Sequence, residues 1–165
     1  MRRGEEGKGG VVFLVDVDHT ILHTDLARLV QVVRLRKMLG RATNELFREI
    51  YDSLKRESGV VDVLGALERF QEKARLKEPT LARVKGIFTE FNYRRYLYKG
   101  AQEVVAHLTR LGRVYFFTEG HPLIQWRKIR SSGLDGHGVL AFRIAKESHI
   151  DRVAGWCPAD HYLYR

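Results

Sequence analysis

Two aspartates one residue apart, Asp16 and Asp18, are the residues of this 165-residue chain whose types and spacing best suit chemistry. Five apolar residues, 11–15, precede them, and the hydroxyl residue Thr20 follows. Two carboxylates this close repel each other and are costly to remove from water unless a counter-charge is near. We therefore expect a site that handles a cation or a phosphate group, in which the two carboxylates have different roles.

The elements that must position these aspartates alternate between strand and helix. The apolar run 11–15 predicts a buried strand, and further strands are predicted at 113–117, 139–142 and 161–164, with helices between them. This alternation indicates a parallel sheet with right-handed crossovers, whose ligand sites lie at the carboxyl ends of the strands. The predicted fold class is α/β, with a Rossmann-like parallel sheet as its core.

A long helical insertion is predicted after the first strand. Between about residues 25 and 98 the apolar residues follow helical spacing, which indicates about four helices that break near Gly40, Gly59 and Pro79, with Thr80 capping the last one. This segment would cover the strand ends as a lid. The predicted domains are an α/β core formed by 1–24 and 99–165, in which 1–9 is a disordered leader, and a helical cap formed by 25–98.

Composition narrows the function classes. Hydrophobic residues make up 44% and charged residues 30%, as in soluble globular proteins, and the first apolar run is too short for a signal peptide or a membrane span. We expect a cytoplasmic protein without a membrane partner. The single cysteine, Cys157, excludes an internal disulfide. The net charge of +9 fits solvated helix faces, attraction of a phosphorylated substrate, or a nucleic-acid surface, and the last reading stays open.

Several motifs in order resemble those of the haloacid dehalogenase (HAD) superfamily. The strand followed by Asp16-x-Asp18-x-Thr20 resembles the first motif of that family. The apolar strand that ends at Thr118 is similar to the second motif, and Lys146 resembles the third, a lone lysine. The helical insertion lies where family members of the C1 type carry their cap, so the resemblance implies a C1-capped phosphatase.

The resemblance implies a role for each of these residues. In the family the first aspartate attacks phosphorus and forms an aspartyl-phosphate, and here that residue is Asp16. The second protonates the leaving oxygen and then activates water, and here it is Asp18. The implied cofactor is Mg²⁺, with Asp16 and the backbone carbonyl of Asp18 as ligands.

The implied phosphate-binding residues are Thr118, Glu119, Gly120 and Lys146. The Thr118 hydroxyl would bind a phosphoryl oxygen, and Lys146 would neutralise charge on the nucleophile and the phosphoryl group. Lys128, in the helix after Thr118, is a competing candidate for the lysine role. These assignments predict Mg²⁺-dependent hydrolysis of a small phosphate ester, and a phosphomutase is an alternative that the sequence does not distinguish.

The family's fourth motif is missing from this sequence. That motif places acidic residues after the next strand, yet here the strand 161–164 is followed only by Arg165, and Asp160 precedes it. We therefore expect impaired turnover and weak Mg²⁺ binding, in a truncated form or one completed by a neighbouring chain in a homo-oligomer. The alternative is a catalytically inactive HAD-fold protein that serves in binding or interaction.

Overall fold

The computed structural model describes four stretches of the chain, which are residues 11–59, 62–142, 146–154 and 161–163. The predicted disordered leader lies outside the described residues, as do three positions used above, namely Cys157, Asp160 and Arg165.

A four-stranded parallel sheet forms the centre of the fold. Its strands are β1 (Val12–Val15), β2 (Arg113–Glu119), β3 (Gly138–Phe142) and β4 (His161–Leu163), in the order β3-β2-β1-β4. Each neighbouring pair is parallel, and all four residues of β1 are buried. The predicted α/β class with a Rossmann-like parallel sheet is confirmed.

Helices fill the long connection between β1 and β2 and flank the sheet. The described α-helices are α1 (Thr24–Leu39), α2 (Arg41–Ser58), α3 (Val63–Ala74), α4 (Glu78–Thr89), α5 (Ala101–Leu111), α6 (Pro122–Ser131) and α7 (Ile150–Ala154). Two 3-10 helices span Tyr93–Tyr96 and Lys146–His149. Helices α1 to α4 all lie between β1 and β2, so the helical insertion predicted after the first strand is present.

The start of α4 differs from the prediction. The helix begins at Glu78 with Lys77 as its N-cap and Pro79 in its first turn, so Thr80 is a helical residue and not the cap. Proline suits the first turn because its missing N–H has no partner there and its fixed φ already matches the helix.

The helical insertion and the sheet have separate hydrophobic clusters. Buried side chains of α1 to α4, such as Phe70 and Val84, form one cluster. Residues of β1, β2 and α5, with Phe116 fully buried among them, form another, which also includes Ala27 of α1. Burial of this kind stabilises both layers, and Ala27 connects the insertion to the sheet. None of the described helices is long and apolar enough to span a membrane.

Candidate active site

Asp16 and Asp18 follow β1 at the edge of the sheet where β2 also ends. Val15 pairs with Phe116, so the residues after β1 stand beside Thr118 near the end of β2. Thr118 is fully buried, and its Oγ1 donates to Asp18 Oδ2 at 3.5 Å. The register of two parallel strands thus brings residues a hundred positions apart to one point.

Lys146 reaches the same point from the segment after β3. Its Nζ donates to Asp16 Oδ1, while Thr20 Oγ1 donates to Asp16 Oδ2 at 3.0 Å. The Asp16 side chain keeps 29% of its surface exposed. The structure therefore gathers Asp16, Asp18, Thr118 and Lys146 at one site, and leaves Asp16 partly open to a ligand.

Asp18 has a lysine of its own, which the sequence analysis did not assign to it. Lys128 Nζ lies 2.7 Å from Asp18 Oδ1 and 3.1 Å from Oδ2, and Thr24 Oγ1 donates to Oδ1 at 2.6 Å. Lys128 competes with Lys146 in the sequence, but the structure gives each lysine a different aspartate. A signal was present, because Lys128 lies four residues after the buried Ile124 and so on the inward face of its helix.

The ion pair with Lys128 governs the charge of Asp18. Burial raises the pKa of this carboxyl, but the Lys128 ammonium, its hydrogen bond and that of Thr24 outweigh burial and hold the pKa below its ordinary value. Asp18 is therefore a carboxylate at neutral pH, a form that can accept a proton.

Glu119 and Gly120, which the resemblance also implies for phosphate binding, make contacts within the protein. The Glu119 carboxylate Oε1 accepts the backbone N–H of Lys146 at 2.9 Å, which helps to position Lys146. The Gly120 N–H donates to the Phe142 carbonyl at 2.8 Å. The role of both residues in binding phosphate stays a prediction.

The carboxylate of Asp16 is better placed to bind a cation than the carboxylate of Asp18. Among the described residues, no three His, Cys, Asp or Glu side chains form a metal-binding group. The two Asp18 oxygens accept four hydrogen bonds, from Lys128 twice, Thr24 and Thr118, which fills the lone pairs of the carboxylate. From the described residues, each Asp16 oxygen accepts one hydrogen bond. Mg²⁺ is often held by one or two protein oxygens plus water and substrate phosphate, and Asp16 fits that pattern.

A cavity of about 380 Å³ lies between the helical insertion and the strand ends. Asp18 and Lys128 line it from the sheet side, together with His121, while residues of α1 and α2 line it from the other side. Asp16, Thr118 and Lys146 are not among its lining residues.

Charges of both signs border the cavity. The cations Arg28, Arg48 and Lys55 are exposed residues of α1 and α2, and the carboxylates of Asp52 and Glu119 also line it. Its volume is within the range of small-molecule sites, about 300–1,000 Å³.

Solved structures resemble this chain over almost its whole length. A protein from Burkholderia xenovorans LB400, assigned as a haloacid dehalogenase-like hydrolase, superposes with a TM-score of 0.81 and 27% identity, over 94% of this chain and 74% of that one. YfnB from Bacillus subtilis, assigned as a HAD-hydrolase and solved with magnesium, superposes with a TM-score of 0.58 and 18% identity, over 94% of this chain and 79% of that one. L-2-haloacid dehalogenase from Xanthobacter autotrophicus superposes with a TM-score of 0.53 and 18% identity, over 93% of this chain and 67% of that one. At these identities, the last two similarities show the fold alone. No protein-family model and no curated protein matches the chain.

Proposed function

This chain belongs to the haloacid dehalogenase-like superfamily of hydrolases, and from that premise we propose that it hydrolyses a small phosphate ester through an aspartyl-phosphate on Asp16. The observation that carries the proposal is the second carboxylate, Asp18, which lines the cavity two residues beyond the nucleophile. A departing alcohol needs a proton and a later water must lose one, whereas a departing halide needs no proton. A carboxylate at this position therefore supports phosphate ester chemistry over dehalogenation.

The proposed reaction has two displacements at phosphorus. In the first, an oxygen of Asp16 attacks phosphorus, the ester P–O bond breaks, and the alcohol leaves with a proton from Asp18. In the second, water attacks the aspartyl-phosphate while Asp18 accepts the proton of the water. Inorganic phosphate leaves and the carboxylate of Asp16 is regenerated. The second displacement suits the ionised Asp18 of this structure directly.

The first displacement requires a protonated Asp18, and Lys128 opposes that state. A phosphoryl group in the site offers Lys128 another anion to bind, and movement of Lys128 toward that group removes the contact that keeps the pKa of Asp18 low. The negative phosphoryl group itself also favours the protonated acid. Lys146, beside Asp16, neutralises charge on the attacking carboxylate and the transferred group.

Magnesium is the proposed cofactor, held by the carboxylate of Asp16 and the backbone carbonyl of Asp18. It would supply positive charge to the phosphoryl oxygens as they are transferred. The proposed partner is a small phosphorylated molecule, and the helical insertion is proposed to act as a C1-type cap over it.

Phosphate release from 4-nitrophenyl phosphate, measured with added Mg²⁺ and again with excess EDTA, tests the proposal. We expect hydrolysis that requires the metal and is lost in Asp16→Asn, because an amide oxygen is too weak a nucleophile to form the phosphoenzyme. Asp25→Asn is the matched control, since Asp25 is an exposed carboxylate at the start of α1 that contacts His19 at 3.8 Å and is not among the described partners of Asp16, Asp18 or Lys146.

Three results would contradict the proposal. Chloride release from 2-chloropropionate without any phosphatase activity would favour dehalogenation. Absence of both activities, with folded protein and saturating Mg²⁺, would favour the alternative of a non-catalytic binding protein. Full activity in Asp16→Asn would reject Asp16 as the nucleophile.

A further inference from the structure

Two buried side-chain amides on opposite walls of the cavity have acceptor oxygens without partners. Asn44 of α2 and Gln125 of α6 both line the cavity, and their side-chain oxygens are buried and receive no hydrogen bond from any described residue. We propose that these two oxygens bind hydrogen-bond donors on the alcohol half of the substrate. The inference rests on the proposed function and specifies its substrate class.

The orientation of the Gln125 amide follows from its neighbour. Gln125 is 5% exposed, and its Nε2 donates to the backbone carbonyl of Glu119. The nitrogen is therefore used, and the oxygen is the atom left without a partner. Gln125 stands one helical turn before Lys128, which contacts Asp18, so its amide lies beside the reacting groups.

Asn44 provides the corresponding acceptor from the helical insertion. It is 9% exposed, and its Oδ1 is the atom without a partner. Other polar residues of the same cavity are paired, since Gln31 Nε2 donates to the Tyr93 hydroxyl at 3.0 Å. An unpaired buried acceptor is destabilising, and a protein retains one at a ligand site because the ligand supplies the missing donor. Both oxygens are covered in this conformation, so a donor reaches them after a small side-chain adjustment.

The cavity has charges of both signs around it. Arg28, Arg48 and Lys55 border it, and so do the carboxylates of Asp52 and Glu119. We take neutral hydroxyl groups as the donors, because a hydroxyl satisfies an amide oxygen without needing a counter-charge. The substrate class that follows is the phosphate monoester of a small alcohol with at least two further hydroxyl groups, one for each wall.

Two esters with the same carbon chain test this inference. Glycerol 1-phosphate carries two hydroxyl groups that n-propyl phosphate lacks, and we expect kcat/KM to favour the glycerol ester by about tenfold or more. Asn44→Leu and Gln125→Met should each lower that preference, because a side chain without an acceptor oxygen no longer binds the hydroxyl. Gln102→Met is the matched control, since Gln102 donates to the Ser132 carbonyl and lies outside the cavity lining, and it should keep the preference.

The outcomes separate this inference from the proposed function. Equal kcat/KM for the two esters, or an unchanged preference in both folded variants, overturns the inference while hydrolysis itself stands. Should neither ester be hydrolysed, calorimetric titration of both esters decides the question. Preferential binding of glycerol 1-phosphate that is weakened in the variants upholds the acceptor site without the reaction, and equal binding overturns it. If a variant does not fold, the comparison of the two esters in the unaltered protein still gives the answer.

Discussion

Asp16 and Asp18 each pair with a lysine, but the two pairs lie in different surroundings. From the described residues, Asp16 accepts one hydrogen bond on each oxygen, from Lys146 and Thr20, while Asp18 accepts two on each. The two carboxylate side chains are almost equally exposed, at 29% for Asp16 and 27% for Asp18, so the difference between them lies in their hydrogen bonds. One carboxylate is available to attack a substrate, and the other is held in place by its neighbours.

The difference shows how one short segment can serve two purposes. A nucleophile needs free lone pairs and an open approach, whereas an acid or base needs a fixed position and a controlled charge. The chain supplies these conditions from different elements, because Lys146 follows β3 and Lys128 belongs to α6. If the two pairs have these separate roles, changes at Asp16 and Asp18 should differ in kind as well as in size.

The largest expected effect is on the reaction rate, and it differs in the step that each aspartate serves. With 4-nitrophenyl phosphate, whose leaving group needs no acid, Asp18→Asn should still form the phosphoenzyme but hydrolyse it about 10²–10⁴-fold more slowly, because the base is missing. Intact-mass spectrometry of quenched samples should then show phosphorylated Asp18→Asn protein and no phosphorylated Asp16→Asn protein. Phosphoenzyme in Asp16→Asn would mean that the two roles have been assigned the wrong way round.

Lys128→Met should cost more stability than Lys146→Met. The first change leaves the carboxylate of Asp18 mostly buried without its counter-charge, which we expect to lower the free energy of unfolding by about 2–3 kcal/mol. The second should cost about 1 kcal/mol, because Lys146 makes one hydrogen bond to Asp16 whereas Lys128 makes two to Asp18. Urea unfolding in EDTA measures both, and equal losses would show that the two surroundings do not differ in energy.

Removing the threonine hydroxyl that donates to each aspartate compares the same two sites with smaller expected losses of stability. Thr24→Val deletes the 2.6 Å hydrogen bond to Asp18 and should lower the free energy of unfolding by about 1–2 kcal/mol. Thr20→Val deletes an exposed 3.0 Å bond to Asp16 and should cost about 0.5 kcal/mol or less. The same urea experiment applies, and a larger loss in Thr20→Val would reverse the ranking of the two sites.

The sequence predicted Asp16, Asp18, Thr118 and Lys146 as site residues, but it gave Lys128 only as a competitor of Lys146 and gave Thr24 no role. Asp16, Asp18 and Thr118 follow apolar strands, and a parallel sheet brings strand ends together whatever the details of packing. Lys128 and Thr24 contact Asp18 because they lie on the faces of α6 and α1 that pack toward it. Which face packs toward Asp18 depends on how the helices and the sheet pack together. Periodicity predicts that a helix has an inward face, but does not specify what that face meets.

Which amide side chains line the cavity also depends on how the helices pack. Nothing local distinguishes Gln125 from Gln102, yet one lines the cavity and the other bonds a carbonyl elsewhere. The start of α4 was missed for a simpler reason, since Pro79 fits both a cap boundary and a first turn. Neighbours in space, and not the sequence nearby, decide such cases.

The effect expected to be smallest at neutral pH concerns Tyr93, a buried residue that lines the cavity. Burial raises the pKa of Tyr93 to about 12, although the hydrogen bond from Gln31 lowers it, and the negative charge of Asp18 raises it further. In the unfolded chain a tyrosine ionises near pH 10, so above that pH the unfolded state loses a proton that the folded state keeps. Stability from this group is therefore complete below about pH 10 and falls as the pH rises toward about 12. Urea unfolding at pH 9 and pH 11 should show a smaller fall in Tyr93→Phe than in the unaltered protein, whereas the control Tyr98→Phe, at a 39% exposed position, should keep the full fall. The same fall in Tyr93→Phe as in the unaltered protein would mean that burial does not keep the Tyr93 hydroxyl protonated at high pH.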